Sequence, residues 1–391
     1  MPGFGSSLRR ELARLGRNPW ELAMVSWVPA LGAALLCWIF SAGLPTQLPI
    51  GVLDEDHSAL SRQLVRYLDA TPGLRVAARF ADAGEMQAAL RAGRVLAAVA
   101  LPRELARDLK QGRVGHVVLL DNAQFGTHSS LIQRDVRTVV GTVSAGIELN
   151  ARTKRGQSLA AARASMEPVR ASMVALFNTA TDYEQFLGAA LIPALLHVLA
   201  MTAGAWAVGR ELRERSLGQW LVGSQGLART LAALSGKLVA CWLPLTAVAW
   251  LAMGWITVGR GWQPAGSLGW TLLALAIFLA LSVAMGAFVA ALTRSLRTAL
   301  SATGLITAPA FAFGGVGFPL VAMPAAARAW ALVLPYTHYA RVQTEQLQMG
   351  APLALSLAAP LWMALATAVL LAGSAWLLQR AAAQPATWGK R

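Results

Sequence analysis

The feature that most constrains this chain is an unbroken apolar run of 24 residues, 186–209, followed directly by RELRERSLGQ. As a helix such a run rises about 36 Å, enough to cross a bilayer core of about 30 Å with some tilt. It therefore reads as a membrane span. Arg210, Glu211, Arg213, Glu214 and Arg215 arrive within six residues of its end, and Leu212, Leu217 and Leu221 continue an apolar face at helical spacing. The expectation is a charged helical elbow over 210–230 that offers its charge to a soluble partner while its leucines rest on the bundle.

Hydrophobic residues make up 56% of the 391 and charged residues only 14%. That is too apolar for a soluble globular chain and too long for a single anchor. Further apolar runs at 22–44, 238–258, 268–292, 298–320 and 352–378 bring the expected spans to six. The first is longer than the apolar region of a signal peptide and reads as an uncleaved anchor. Residues 1–21 set Leu8, Leu12 and Leu15 at helical spacing among Arg9, Arg10, Arg14 and Arg17, the pattern of an amphipathic helix on an anionic membrane surface. Between the first two spans, 45–185 alternates strand-length runs (49–53, 74–78, 95–100, 116–120) with helical patterns (58–70, 82–92, 102–111), and then turns helical over 127–171. Such alternation predicts a compact α/β domain. Asp54, Glu55 and Asp56 stand at a strand end before a helix and read as cap and turn, as do Asp121 and Asn122. The expected fold is a polytopic α-helical membrane protein of six transmembrane helices with an α/β domain inserted between helices 1 and 2. Its segments are 1–21 interfacial, 22–44 first span, 45–185 inserted domain and 186–391 remaining spans.

Basic residues in the short flanks give the orientation. With the N-terminus inside, segments 1–21, 210–237, 293–297 and 379–391 hold fourteen Lys and Arg, against three (Arg260, Arg328, Arg341) in the opposite loops. Both termini and the elbow are then cytoplasmic and 45–185 extracytoplasmic. The net charge of +15 forms no dense basic run interleaved with aromatics, so nucleic acid is not an expected partner.

The chain offers little chemistry of its own. Ser235-Gly236-Lys237-Leu238 lacks the first glycine and the final hydroxyl of a phosphate-binding loop. The five histidines have no ligand-spaced partners, so no metal site is expected. Cys37 and Cys241 lie in apolar runs and promise no disulfide. His197 is the one titratable side chain deep in an expected span; it reads as a relay or substrate contact, or as a neutral ring bonded to a neighbouring helix. Tyr183 stands at the mouth of the second span as an interfacial anchor or part of an exit rim. Phe311, Phe313 and Phe318, among Gly314, Gly315 and Gly317, suit an apolar substrate path or plain helix packing. Pro335, Tyr336, His338 and Tyr339 are expected to break a helix and set aromatics at headgroup level, as an anchor or an outer gate.

Four blocks carry a resemblance: LPIGVLDEDHSALSRQLVRYLDATPGLRV from Leu48, DYEQFLGAALIPALL from Asp182, RELRERSLGQWLVG from Arg210, and FPLVAMPAAARAWALVLPYTHYARV from Phe318. Together they resemble the permease subunit of a type 2 ABC exporter, in the branch with a large extracytoplasmic domain between spans 1 and 2. Gln219 and Trp220 depart from the Glu and Gln usual after the coupling leucine, and Leu187 to Ala190 replace the usual Pro-Gly. The resemblance implies coupling to a cytoplasmic ABC ATPase dimer through Arg210, Glu211, Arg213, Glu214, Arg215 and Leu217, with ATP and Mg on that partner and no cofactor here. It further implies a second permease chain, as homodimer or with a related paralogue, and an outer re-entrant segment over 318–350. A periplasmic adaptor where one exists, membrane lipid around the spans, a hydrophobic or amphipathic cargo and a bacterial inner-membrane location complete it. A membrane receptor with an extracytoplasmic ligand-binding domain is the competing reading, although one or two spans would serve a receptor.

Overall fold

The computed structural model describes residues 3–158, 176–178, 182–222, 224 and 226–388. The chain divides into two compact units, Met1–Gly43 with Ala175–Arg391, and Leu44–Val174. In the first unit, helices α1 (Phe4–Arg17), α2 (Pro19–Val25) and α3 (Trp27–Phe40) lead the chain. The backbone breaks between α2 and α3 at Ser26. Pro29 explains the break, since it has no N–H to offer Val25 and its ring crowds that carbonyl.

In the second unit, β1 (Leu48–Asp54), α4 (Ala59–Asp69), β2 (Leu74–Phe80), α5 (Ala83–Arg91), β3 (Ala97–Leu101), α6 (Leu105–Lys110), β4 (Val118–Asp121) and α7 (Gly126–Lys154) follow. The sheet order is β2-β1-β3-β4, with β1 parallel to both neighbours and β4 antiparallel to β3. Period-two alternation sends Ile50, Val52 and Val99 to one face, against Leu64, Val65 and Leu68 of α4 and Ile132 and Val136 of α7. Leu53 and Ala98 pack on the other face with Phe80 and with Met86 and Ala89 of α5. Gly51 leaves room there, because a Cβ would fall 2.1 Å from the Phe80 ring. Ser58 and Asp82 cap α4 and α5 by accepting from Ser61 N and Glu85 N. Asp54 closes the turn after β1, accepting from the backbone N–H of Asp56 and His57 and from Ser61 Oγ. Asp121 accepts from Ser129 Oγ and Gln133 Nε2. The helical stretch expected to reach 171 passes outside the described residues after 158.

The first unit resumes with α8 (Ala189–Arg213), entered through a π turn at Glu184–Gly188, then α9 (Leu217–Trp220), α10 (Leu227–Gly254), α11 (Leu268–Thr293), α12 (Leu296–Thr307) and α13 (Ala310–Phe313). After it come α14 (Ala325–Val333), α15 (Pro335–Gln343), α16 (Leu353–Ser356) and α17 (Ala358–Ala382). Five helices among the described residues are long and apolar enough to cross a membrane: Pro19–Phe40, Glu184–Arg213, Leu227–Gly259, Leu268–Thr293 and Leu353–Ala382. The sixth expected span, 298–320, is not one helix. Pro309 follows the end of α12, and Gly314 and Gly315, the latter at φ +79°, end α13. The 12 residues of α12 rise only about 18 Å.

Close helix approach depends on small residues. A Cβ on Gly204 of α8 would lie 2.0 Å from Val283 O of α11, and one on Gly286 would lie 1.9 Å from Met201 O. Neither carbonyl can yield without moving a helix. Gly286→Val is therefore expected to cost about 1–3 kcal/mol or more in thermal unfolding of the detergent-solubilised protein. Gly254→Ala, where a Cβ meets nothing within 4 Å, serves as the neutral control.

Candidate functional site

The charged end of α8 does not stand free. Arg210 is 1% exposed and Glu211 0% exposed. Helix α1 turns Ser7, Glu11 and Leu15 inward, a stripe at i, i+4, i+8, and lies directly on α10, where a Cβ at Gly236 would come within 2.3 Å of Phe4 O. That contact brings Glu11 to Arg210 and, at 2.7 Å, to Lys237 Nζ. Lys237 bonds Glu211 Oε1, also at 2.7 Å, and stands over the Trp220 ring, whose Nε1 donates to Ser7 Oγ at 3.0 Å. Arg210 reaches Glu21 at the start of the first span as well. Glu211 Oε2 accepts from Arg10 at 3.1 Å and from Ser216 Oγ. Arg14 bridges Glu21 at 3.3 Å and grips Glu214 with two guanidinium nitrogens at 2.8 and 3.0 Å. Four carboxylates thus meet these four cations, and the exposed Arg213 adds a fifth, 3.4 Å from Glu214, so the cluster carries one net positive charge.

Buried charges are tolerated only when paired and hydrogen-bonded, and removing one partner costs far more than the pair contributes. Lys237 shows why: without it Glu11 and Glu211 would face each other in an apolar core. The outermost pair behaves differently. The hydrogen bonds from Arg14 hold the Glu214 carboxyl below its ordinary range. The stability this pair contributes is complete above the ordinary carboxylate pKa and is lost as pH falls through the lowered value.

The 210–230 segment is therefore not the single exposed coupling helix that the sequence suggests. Arg210 and Glu211 belong to the last turn of α8. Arg215 adopts a left-handed φ of 56° that ends the helix, α9 is one turn long, and Gly226 at φ 93° precedes α10. Residues 223 and 225 lie outside the described residues. Arg213, Glu214 and Arg215 are exposed, whereas Leu212 and Leu217 are fully buried. Sequence reasoning missed Arg10, Glu11, Arg14, Glu21 and Lys237 as parts of this site. The available signals were Glu11 on a stripe with Ser7 and Leu15, and a lysine standing alone within a long apolar helix.

Elsewhere the structure brings some of the other sequence-predicted residues together and leaves others apart. His197 is wholly buried; its Nδ1 bonds Ser282 Oγ at 2.7 Å and its ring packs 5.1 Å from Phe278. Because the Ser282 hydroxyl donates to Phe278 O, the shared proton belongs to His197 Nδ1, and Nε2 has no partner among the described residues. Tyr336 and Tyr339, expected at headgroup level, are 0% exposed and pack on Phe278. The cause is Pro193, which cannot donate to Ala189 O. Gln343 Nε2 bonds that carbonyl and Tyr336 donates to Ala190 O, drawing α15 into the bundle. Pro335 opens α15 as its first residue, and His338 Nε2 donates to Leu332 O beside Trp362. Phe311 joins Tyr336 at 6.2 Å, while Phe318 is exposed, Phe313 half-buried and Tyr183 half-buried beside Gly43. His197, Tyr336, Tyr339 and, through Tyr336, Phe311 thus gather around Phe278. Among the described residues no group of three His, Cys, Asp or Glu forms a metal site.

A bundle with five long apolar helices defines a multi-pass helical membrane protein. Residues 19–377 match the model of the family described as ABC-2 family transporter protein, and the chain belongs to that family. It is an ABC-2 type permease, a membrane transport component whose ATPase is a separate subunit in this family. No curated protein matches the chain. Helix α1, which supplies Arg10, Glu11 and Arg14, precedes the matched region.

Lys237→Met and Glu11→Gln are each expected to destabilise the protein by about 3–5 kcal/mol. The double variant should lose clearly less than the sum, because each single change strands a charge that the other removes. Thermal unfolding of the four proteins in one detergent checks this, and strict additivity would show that the two side chains do not share a network.

Proposed function

We propose that this permease exports a hydrophobic or amphipathic compound, and that ATP hydrolysis on a separate cytoplasmic ABC ATPase dimer drives it through the exposed Arg213, Glu214 and Arg215. The observation that carries this reading is the division of charge along the six residues from Arg210 to Arg215. Arg213 and Arg215 face solvent, while Arg210 and Glu211, one turn back, are locked to α1, the first span and α10. A push delivered to the exposed turn has no slack to take up before it reaches three helices. Leu217, fully buried, anchors the turn beyond.

The basic flanks support a cytoplasmic position for this end of the spans, with both termini inside and 45–185 outside, in an inner membrane. Nearly uncharged span surfaces support an apolar or amphipathic cargo, since a charged one would meet no counter-charge. A second permease chain, identical or related, completes the pathway in this reading, and a periplasmic adaptor would meet the segment outside the membrane.

The test is the double charge reversal Arg213→Glu with Arg215→Glu, made in the complex that co-purifies with its ATP-binding subunit. Both side chains are exposed, and Arg213 gives up only a solvent-facing 3.4 Å pair with Glu214 and a contact with the Trp206 ring, so the bundle folds. Like-charge juxtaposition at a docking rim costs several kcal/mol, and about tenfold weaker recovery of the ATPase subunit is expected. Wild-type recovery together with unchanged transport-stimulated ATP hydrolysis would overturn the reading.

A further inference from the structure

At the end of the spans opposite to the charge cluster, α3 and α10 diverge and leave a cavity of about 450 Å³, within the size range of small-molecule sites. Its walls are apolar: Cys37 and Ala34 on one side, Val248 and Leu251 on the other, with Trp38 and Trp255 exposed at its rim. Exposed tryptophans of this kind sit where hydrocarbon meets headgroups. The polar end is a single ion pair. Arg260 Nε donates to Glu184 Oε2 at 2.9 Å and Arg260 Nη2 to Ser41 O.

Two features leave this pair incomplete. Glu184 is 5% exposed, and its Oε1 is buried without a hydrogen-bond partner among the described residues. A buried carboxylate oxygen left unbonded is costly, so the site calls for a donor. Arg260 is 40% exposed on its side chain and lines the groove. An acceptor for Arg260 and a donor for Glu184 are wanted side by side, at headgroup depth, next to a greasy slot.

We propose that this groove binds one phospholipid with a primary-amine headgroup. Its ammonium meets Glu184 Oε1 once the carboxylate turns that buried oxygen to the groove it lines, its phosphate meets Arg260, and one acyl chain lies between α3 and α10. The charge count selects this class. The pair is neutral, so an anionic headgroup would repel Glu184 while satisfying Arg260. A quaternary ammonium carries no N–H and cannot complete the carboxylate. The site is independent of what the protein exports.

The full-length protein would be reconstituted in phosphatidylcholine vesicles doped with phosphatidylethanolamine bearing a photoactivatable acyl chain, and labelled peptides mapped. Matched phosphatidylcholine and phosphatidylglycerol probes are the comparison arms. A charge-assisted hydrogen bond is worth about tenfold in occupancy, so residues 30–41 and 248–260 should carry about tenfold more label from the amine probe than from either other. Glu184→Gln should reduce the amine probe to the phosphatidylcholine level. Ala34→Trp, a change at an exposed rim position, should remove label from both segments. Equal labelling by the amine and choline probes, or stronger labelling by phosphatidylglycerol, would overturn the proposal. So would label spread evenly onto the exposed Leu361 and Leu365 of α17, or label retained in Ala34→Trp, which decides the matter if Glu184→Gln fails to fold.

Discussion

A lysine ammonium without water is held only by carboxylates at bonding distance, and Lys237 has two, one from each of its neighbours. Glu11 arrives on α1 and Glu211 on α8, both at 2.7 Å. Because each carboxylate in turn holds an arginine, displacing any one of the helices would expose an unpaired charge to the core. Such a cluster contributes more to uniqueness of arrangement than to stability, since an apolar substitute would pack as well. It fixes how α1, the first span, α8 and α10 meet at one end of the bundle.

The middle and far end of α8 are held by different means. Around Gly204 and Gly286 the backbones of α8 and α11 touch, leaving dispersion contacts to bind them. Near its start, Pro193 frees the Ala189 carbonyl, and the side chains of Gln343 and Tyr336 fasten α15 over that turn. Ionic, close-packed and hydrogen-bonded fastenings thus succeed one another along a single helix. His197 lies between the last two, its Nδ1 bonded to Ser282 Oγ.

Local chemistry was legible in the sequence and long-range chemistry was not. The second span, the cap residues Ser58 and Asp82, and runs near each strand follow from length, periodicity and side-chain hydrogen bonding over a few residues. Lys237 read as part of the basic flank 210–237 because nothing local says that α10 begins at Leu227; among the described residues no side chain caps its first turn. The partners of Arg210 lie 199 and 189 residues away, beyond any pattern a window can show. Tyr336 read as an interfacial aromatic because its acceptor, Ala190 O, lies on another helix. The run 298–320 kept its apolar composition but carries Pro309 and Gly315, and punctuation overrode hydropathy.

Within the proposed coupling, the sequence of fastenings along α8 bears on what a cytoplasmic push could do. If only its charged end were secured, a displacement of Arg213 and Arg215 would dissipate as bending in the first turns. Close packing instead leaves few soft degrees of freedom, and the tie from Ala189 and Ala190 to α15 carries the opposite end along. The helix therefore transmits a displacement as a body, and the element it would carry is α15, where Tyr336 and Tyr339 stack against Phe278. Opening at that end then requires breaking hydrogen bonds and aromatic contacts rather than buried ion pairs, a smaller cost by the ordinary worth of each. The end with stronger bonds is the one suited to receive force, and the end with weaker bonds is the one suited to yield.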